Sequence, residues 1–303
     1  MSAGPAPRGP ALRAAAPAKL NLYLHVTGKR ADGYHELDSL AVFASRHDTV
    51  AVAPADGLSL SVDGPFASAL HAAMEGDNIM LRAARALADA ARVPPRAAIT
   101  LTKNLPVAAG IGGGSADAAA TLGLLVQLWG TALGEEAMGA LALSLGADVP
   151  VCRFGRAAFM GGIGEKLDAS PALPPVALVL VNPNRPLATK DVFRARTEPF
   201  SPSGRFATTP ADAAALAALL RARRNDLEAP AIRLMPEVGA VLAALSRQPG
   251  CLLARMSGSG ATCFGLFADD GAAGAAAAAI KRAQPGWWAD ASRLVADTRA
   301  LKV

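Results

Sequence analysis

The chain has 303 residues, 52% hydrophobic and 18% charged, with a formal net charge of +5. At roughly 100–200 residues per domain this allows two domains or one elaborate one; the balance excludes a disordered chain, and no apolar run approaches the roughly 20 residues needed to span a bilayer. No run of five like charges occurs, and the basic group Arg221, Arg223 and Arg224 is followed at once by Asp226 and Glu228, so the positive charge reads as diffuse and, with few aromatics for stacking, nucleic acid is disfavoured as a partner.

The start, Met1 to Pro17, is rich in Ala, Pro and Arg and reads as a tail, with residues 1–16 outside the fold. From Ala18 to Val26 the chain alternates, Leu20, Leu22, Leu24 and Val26 on one face and Lys19, Asn21, Tyr23 and His25 on the other; this predicts a half-buried strand. After the turn Ala31-Asp32-Gly33, strands are expected at Leu40–Phe43 and Thr49–Val52 and, past Asp56-Gly57, at Leu58–Val62. The first third is thus read as mostly antiparallel sheet.

Asn78–Ala91 has the alanines and the leucine spacing of a helix that Pro94-Pro95 stops, and Ala98–Thr102 returns to strand. A glycine-rich loop follows, then a helix whose apolar face is drawn by Ala118, Leu122, Leu125, Val126 and Trp129. Glu135–Leu145 makes a further helix ended by Gly146. Beyond a boundary expected near Gly161–Gly164 come the strand Val176–Val181, helices within Ala211–Ala222 and Val238–Ser246, strands flanking Ser257–Ala261, and a helix over Ala272–Arg282. Strands and helices mix without strict alternation, which favours α+β over a doubly wound sheet. Cys152, Cys251 and Cys263 form no CxxC and lack partner histidines, so they read as buried, reduced thiols of a cytoplasmic protein.

The loop carries the chemistry. In Pro106-Val-Ala-Ala-Gly110-Ile-Gly112-Gly113-Gly114-Ser115 four glycines stand just before a helix, where unsatisfied amides and the positive end of the dipole attract phosphate. Side chains there would block close approach of the backbone to the anion and forbid the conformations that turn successive amides inward. Ser115 offers a hydroxyl to a phosphate oxygen or a metal, or simply caps the helix. A P-loop is excluded because no lysine follows the glycines, and a Rossmann fingerprint because its third glycine is replaced by Ser115.

Pro106-x-x-x-Gly110-Ile-Gly-Gly-Gly-Ser-Ala-Asp-Ala-Ala resembles the central motif of the GHMP small-molecule kinases. Pro17-Ala-Lys-Leu-Asn-Leu-Tyr-Leu-His25, Arg30-Ala-Asp-Gly-Tyr-His-Glu-Leu37, Gly146-Ala-Asp-Val-Pro150 and Ser257-Gly-Ser-Gly-Ala261 are similar, in order across nearly the whole chain, to the branch that acts on a cytidine diphosphate sugar alcohol. The resemblance implies an α+β, two-domain fold with a cleft between a ribosomal S5 domain 2-like ATP-binding domain, residues 17–162, and a ferredoxin-like substrate-binding domain, residues 163–303, whose last strand packs on the first. It implies ATP, with Mg²⁺, as donor and phosphorylation of the 2-hydroxyl of that alcohol, a step of the non-mevalonate route to isoprenoid precursors.

By the same resemblance Asp148 is the general base, and Lys19 beside it keeps the carboxylate ionised and the acceptor oriented. Tyr34 and Phe193 are the slices of a cytosine sandwich and His35 reads the base edge; Asn21 and Thr189 touch the sugar alcohol; Gly258, Ser259 and Gly260 line the phosphate end. Asn78 and Lys103 match positions near the nucleotide, alongside Pro106, Gly110, Gly112, Gly113, Gly114 and Ser115. Asn225-Asp226 fits a recurrent pair to which no role attaches. Ala116 stands where many relatives carry a second serine, which leaves the metal ligands open beyond Ser115. Rival readings are a homoserine or mevalonate type kinase of the same superfamily, and a basic nucleic-acid-binding protein of S5-like shape that would have no use for Lys19 and Asp148.

Overall fold

The computed structural model describes residues 9–73 and 78–303. Of the segment read as a tail, residues 1–8 lie outside the described residues, but Leu12–Lys29 is one strand, β1. Its first part pairs with β2 (His35–Ala53), Leu12 opposite Val52 through Pro17 opposite His47. An Ala- and Pro-rich stretch that looks like a tail in isolation is therefore held by a ladder. The two short strands expected between Leu40 and Val52 are likewise one strand, because Ala44–Asp48 contains no glycine or proline to turn the chain and His47 and Asp48 pair with Pro17 and Ala16 of β1.

β3 (Leu58–Asp63) lies parallel to β4 (Ala97–Thr102), and β4 runs antiparallel to β2. The parallel pair departs from the antiparallel expectation and uses α1 (Ala67–Ala73) and α2 (Ile79–Ala91) as its crossover. α2 is capped by Asn78, whose side chain accepts from the amide of Met80 at 2.8 Å. α3 (Gly113–Trp129), α4 (Glu135–Leu145) and the short α5 (Val149–Phe154) pack with α2 over this sheet. In α3, Ala118, Leu122 and Leu125 are buried as the spacing predicts.

β5 (Ala158–Gly162) pairs with β2 and with β6 (Lys166–Ala169), so the first sheet continues past residue 162. The second half supplies β7 (Ala177–Asn182), β8 (Cys251–Met256), β9 (Cys263–Phe267) and β10 (Trp288–Val295), with α6 (Thr189–Arg194), α7 (Ala213–Arg221), α8 (Glu228–Leu234), α9 (Glu237–Ser246) and α10 (Asp270–Ala283). β10 pairs with β7 over most of its length and with Phe43 and Ala44 of β2 at its end, which joins both halves into one ten-stranded sheet. No helix among the described residues is long and apolar enough to cross a membrane. The cysteines are all free, but only Cys263 is buried; Cys152 and Cys251 are half-buried, because their strand and helix positions sit at the margins of the core.

Candidate active site

β1 enters the space between the halves with both faces covered, so the residues alternating with its leucines, Lys19, Asn21, Tyr23 and His25, are buried rather than solvated. Burying an ammonium requires a partner. Lys19, 3% exposed, places Nζ 2.9 Å from Asp148 Oδ2 and donates to Asn21 Oδ1, also at 2.9 Å. Asn21 in turn donates through Nδ2 to Ser39 Oγ at 2.7 Å, which fixes the amide's orientation. Asp148 precedes α5, makes no capping bond, and keeps its side chain 36% exposed. One carboxylate oxygen is thus committed to Lys19 and the group as a whole still faces the cavity.

The glycine loop passes directly over this pair. A Cβ added to Gly112 would lie 3.2 Å from Lys19 Cβ and Cε and 3.9 Å from Asp148 Oδ2, and Gly112 has φ 61; only glycine combines that conformation with that approach. Gly112 rather than Ser115 caps α3, so the reading of Ser115 as the helix cap does not hold, and Ser115 lies in the first turn. Among the described residues the amides of Gly113, Gly114 and Ser115 find no acceptor in the chain, as expected at a helix start. Such amides are free to donate to an anion.

A second loop, Ser257–Gly260, closes on the first. Ser257 Oγ accepts from Asn21 N at 3.2 Å and donates to Gly110 O at 3.1 Å, and Thr262 N donates to Ala109 O at 3.0 Å. A Cβ on Gly110 would stand 2.8 Å from the carbonyl carbon of Gly260. These loops and α6 enclose a cavity of about 1260 Å³. Every predicted site residue lines it except Gly260, whose carbonyl is pressed against Gly110 instead.

Lys103 and Asn78 sit at the end of the cavity beyond the glycines. Lys103 is 2% exposed and its ammonium is shared by Asp48 Oδ2, at 2.5 Å, and Asp117 Oδ2, at 2.9 Å. Asp48 Oδ1 accepts the amides of Asn104 and Leu105 at 2.6 and 2.8 Å, whereas Asp117 Oδ1 has no partner among the described residues. Burial, opposed by Lys103 and reinforced by Asp48, pushes the Asp117 carboxyl up to about 7. Neither acid was singled out from sequence, although Asp117 stands inside the glycine motif.

At the other end Thr189, at the start of α6, pairs its hydroxyl with Ser259 Oγ at 2.8 Å, and Phe193 lies one turn on, as the i, i+4 spacing requires. The ring stacked on Phe193 is His35, centroids 5.0 Å apart and planes at 24°, while Tyr34 is 61% exposed at the mouth. Tyr34, His35 and Phe193 thus lie together at this end of the cavity, with His35 against one face of Phe193. Burial first, then Lys29 and Arg196, push the His35 pKa down, which favours the neutral imidazole. Lys29, Lys190, Arg194 and Arg196 line this end, none of them picked out by the motifs. For a metal the donors are sparse and all oxygen: among the described residues no group of three or more His, Cys, Asp or Glu is placed to hold one. Ser115 and Asp148 suit a hard cation whose remaining ligands are phosphate and water.

Comparison with known proteins identifies the family. The model of the GHMP kinases N terminal domain matches residues 78–156 and that of the GHMP kinases C terminal matches residues 209–286. The chain is 56% identical over 284 residues to the 4-diphosphocytidyl-2-C-methyl-D-erythritol kinase of Rhodospirillum rubrum, covering 94% of this chain and 93% of that one. It is 57% identical to the enzyme of the same name from Paramagnetospirillum magneticum, covering 92% and 97%. A crystal structure of 4-(cytidine 5'-diphospho)-2C-methyl-D-erythritol kinase superposes with a TM-score of 0.76 at 37% identity over 93% of this chain and 99% of that one. A homoserine kinase from Cytophaga hutchinsonii, at 17% identity and a TM-score of 0.73, shares the fold. The two-domain α+β architecture is therefore that of the GHMP kinases, and the chain is a small-molecule kinase that uses ATP. Within that superfamily, it belongs to the family of the 4-diphosphocytidyl-2-C-methyl-D-erythritol kinases.

Proposed function

We propose that this enzyme transfers the γ-phosphoryl group of ATP to the 2-hydroxyl of 4-diphosphocytidyl-2-C-methyl-D-erythritol, with Asp148 as general base. The observation that carries the reading is the Lys19–Asp148 pair, 2.9 Å apart, abutting Gly112 of the phosphate-binding loop. The acceptor hydroxyl gives its proton to Asp148 as its oxygen bonds to the γ-phosphorus and the bond to the β,γ-bridging oxygen breaks, releasing ADP. Little covalent work falls to the protein in such a loose transition state; alignment and charge neutralisation dominate. Lys19 and Asn21 orient the acceptor, and the amides of Gly113–Ser115 hold the transferred and β-phosphates. Ser115, with the triphosphate itself, would hold Mg²⁺, which would supply positive charge against the phosphates.

At the far end, a neutral His35 can donate from one ring nitrogen and accept at the other, which matches the amino and ring-nitrogen pattern of a cytosine edge. Phe193 offers a stacking face, and Tyr34 at the mouth can swing to cover the other side once His35 turns to the base edge. Residues 17–162 then serve the nucleotide and, through Asn21, Tyr34 and His35, part of the acceptor, and residues 163–303 the rest of the acceptor, with β6 continuing the first sheet beyond that boundary. The test is ADP release from Mg·ATP with a panel of acceptors. Turnover is expected on the cytidine diphosphate alcohol alone; turnover on homoserine or mevalonate in its place refutes the substrate while sparing the class.

A further inference from the structure

Asn225 and Asp226 are both 4% exposed, and neither lines the cavity. Their backbone runs beside β1: Leu24 N donates to Arg224 O at 3.0 Å and Asp226 N donates to Leu24 O at 2.8 Å. Asp226 Oδ2 accepts the amide of Val26 at 2.8 Å, while its Oδ1 accepts Ser201 Oγ at 3.0 Å and Arg224 Nε at 2.6 Å. The dipeptide is thus locked to the strand that carries Lys19 and Asn21. On its other side Asn225 Nδ2 donates to Met256 O at 2.9 Å and to Gly258 O at 2.8 Å, and its Oδ1 accepts Leu227 N at 2.9 Å.

Resting on the function proposed above, we infer that Asn225 is a positioning residue for phosphoryl transfer, its carboxamide holding the Ser257–Gly260 loop in register with β1. The chemistry needs an amide. Two carbonyls and one N–H converge on this buried point, and only a group with two protons on one side and an acceptor on the other satisfies all three. What it holds is close to the reaction: Gly258 and Ser259 line the cavity, and Gly258, with φ 55, sits where an added Cβ would meet Gly110 O at 2.8 Å. A shift of the second loop therefore moves the first, and displacement of reacting groups by about 1 Å costs on the order of a hundredfold in rate.

The test uses N225D and N225A in the full chain. N225D keeps volume and the acceptor for Leu227 N but aims an oxygen at two carbonyl oxygens. We expect kcat to fall about tenfold to a hundredfold in both variants, from the loss of two ordinary hydrogen bonds in N225D and three in N225A, with ATP affinity within about threefold of wild type because Gly113–Ser115 are untouched. Hydrogen exchange should quicken at residues 257–260 and stay slow in β1. Protonation gives the introduced carboxyl one O–H to donate, so the N225D to wild-type ratio of kcat rises as pH falls while that of N225A stays level. Glu228, Arg255, Arg224 and Asp226 surround this point in both proteins and cancel in the ratio. Unchanged exchange at 257–260, a kcat within about threefold of wild type, or failure of both variants to fold each overturns the inference. Absence of wild-type turnover on the cytidine diphosphate alcohol counts against the proposed substrate instead, since loop exchange is read without any acceptor.

Discussion

Replacing Asp148 by Asn removes the proton acceptor and the counter-charge of Lys19. The carboxamide oxygen can still take the Lys19 hydrogen bond now made to Oδ2 at 2.9 Å, so the strand and loop have no reason to move. Asp148 makes no capping bond to α5 and its side chain is 36% exposed, but Lys19 is 3% exposed, so removing the carboxylate's charge from beside a buried ammonium costs about 1–3 kcal/mol. For a chain of this size that lowers Tm by about 2–10 °C. General-base catalysis supplies about 10²–10⁴ in rate, or about 2.7–5.4 kcal/mol of barrier. The expectation is therefore a kcat reduced at least a hundredfold, an ATP Kd near the wild-type value, and a melting curve shifted down but still cooperative, read by single-turnover ADP release, nucleotide titration and calorimetry. A kcat within tenfold of wild type, with nucleotide binding intact, would take Asp148 out of the chemistry.

Phe193→Ala removes a stacking face worth about 1–3 kcal/mol per base; the KM for the cytidine acceptor should rise about fivefold to a hundredfold in initial-rate assays while that for ATP holds. Gly110→Ala introduces a Cβ 2.8 Å from the carbonyl carbon of Gly260 at a residue with φ 72; overpacking and the left-handed conformation together cost about 2–5 kcal/mol, visible as a lowered Tm and weakened nucleotide binding. Asp117→Asn tests the buried cluster. The folded pKa of Asp117, about 7, lies above its ordinary value of 3.8, so its contribution to stability is fully present below that ordinary value and is lost as pH rises through about 7. The variant should lack this slope, gaining on wild type between about pH 4 and pH 7 in Tm measured against pH; parallel curves would show that Asp117 is ionised throughout.

The local parts of this molecule could be read from its residues: the glycine loop, because helix-start amides and positive φ are properties of a few consecutive positions, and most helices, because their spacing and caps are local. Asn78 at the head of α2 and Gly146 at the end of α4 fell where their chemistry places them. Lys19 and Asp148 were paired only through resemblance, since nothing in either neighbourhood of the sequence states that β1 passes beneath the loop. β10, with Trp288–Val295, was missed because it lacks alternation; its strand character comes from being held between β2 and β7. The Asp48–Lys103–Asp117 cluster draws one residue each from β2, the end of β4 and α3, and the Asn225 clamp joins a turn to a loop from another strand. Such arrangements become visible only when the chain has been folded.

The account stands most directly on where the phosphoryl group goes. Incubation of the enzyme with Mg·ATP and 4-diphosphocytidyl-2-C-methyl-D-erythritol, followed by phosphorus NMR of the product, should give a new phosphomonoester coupled to C2, the carbon that bears the methyl group. A phosphomonoester on another carbon, or none while homoserine or mevalonate is phosphorylated under the same conditions, would contradict it.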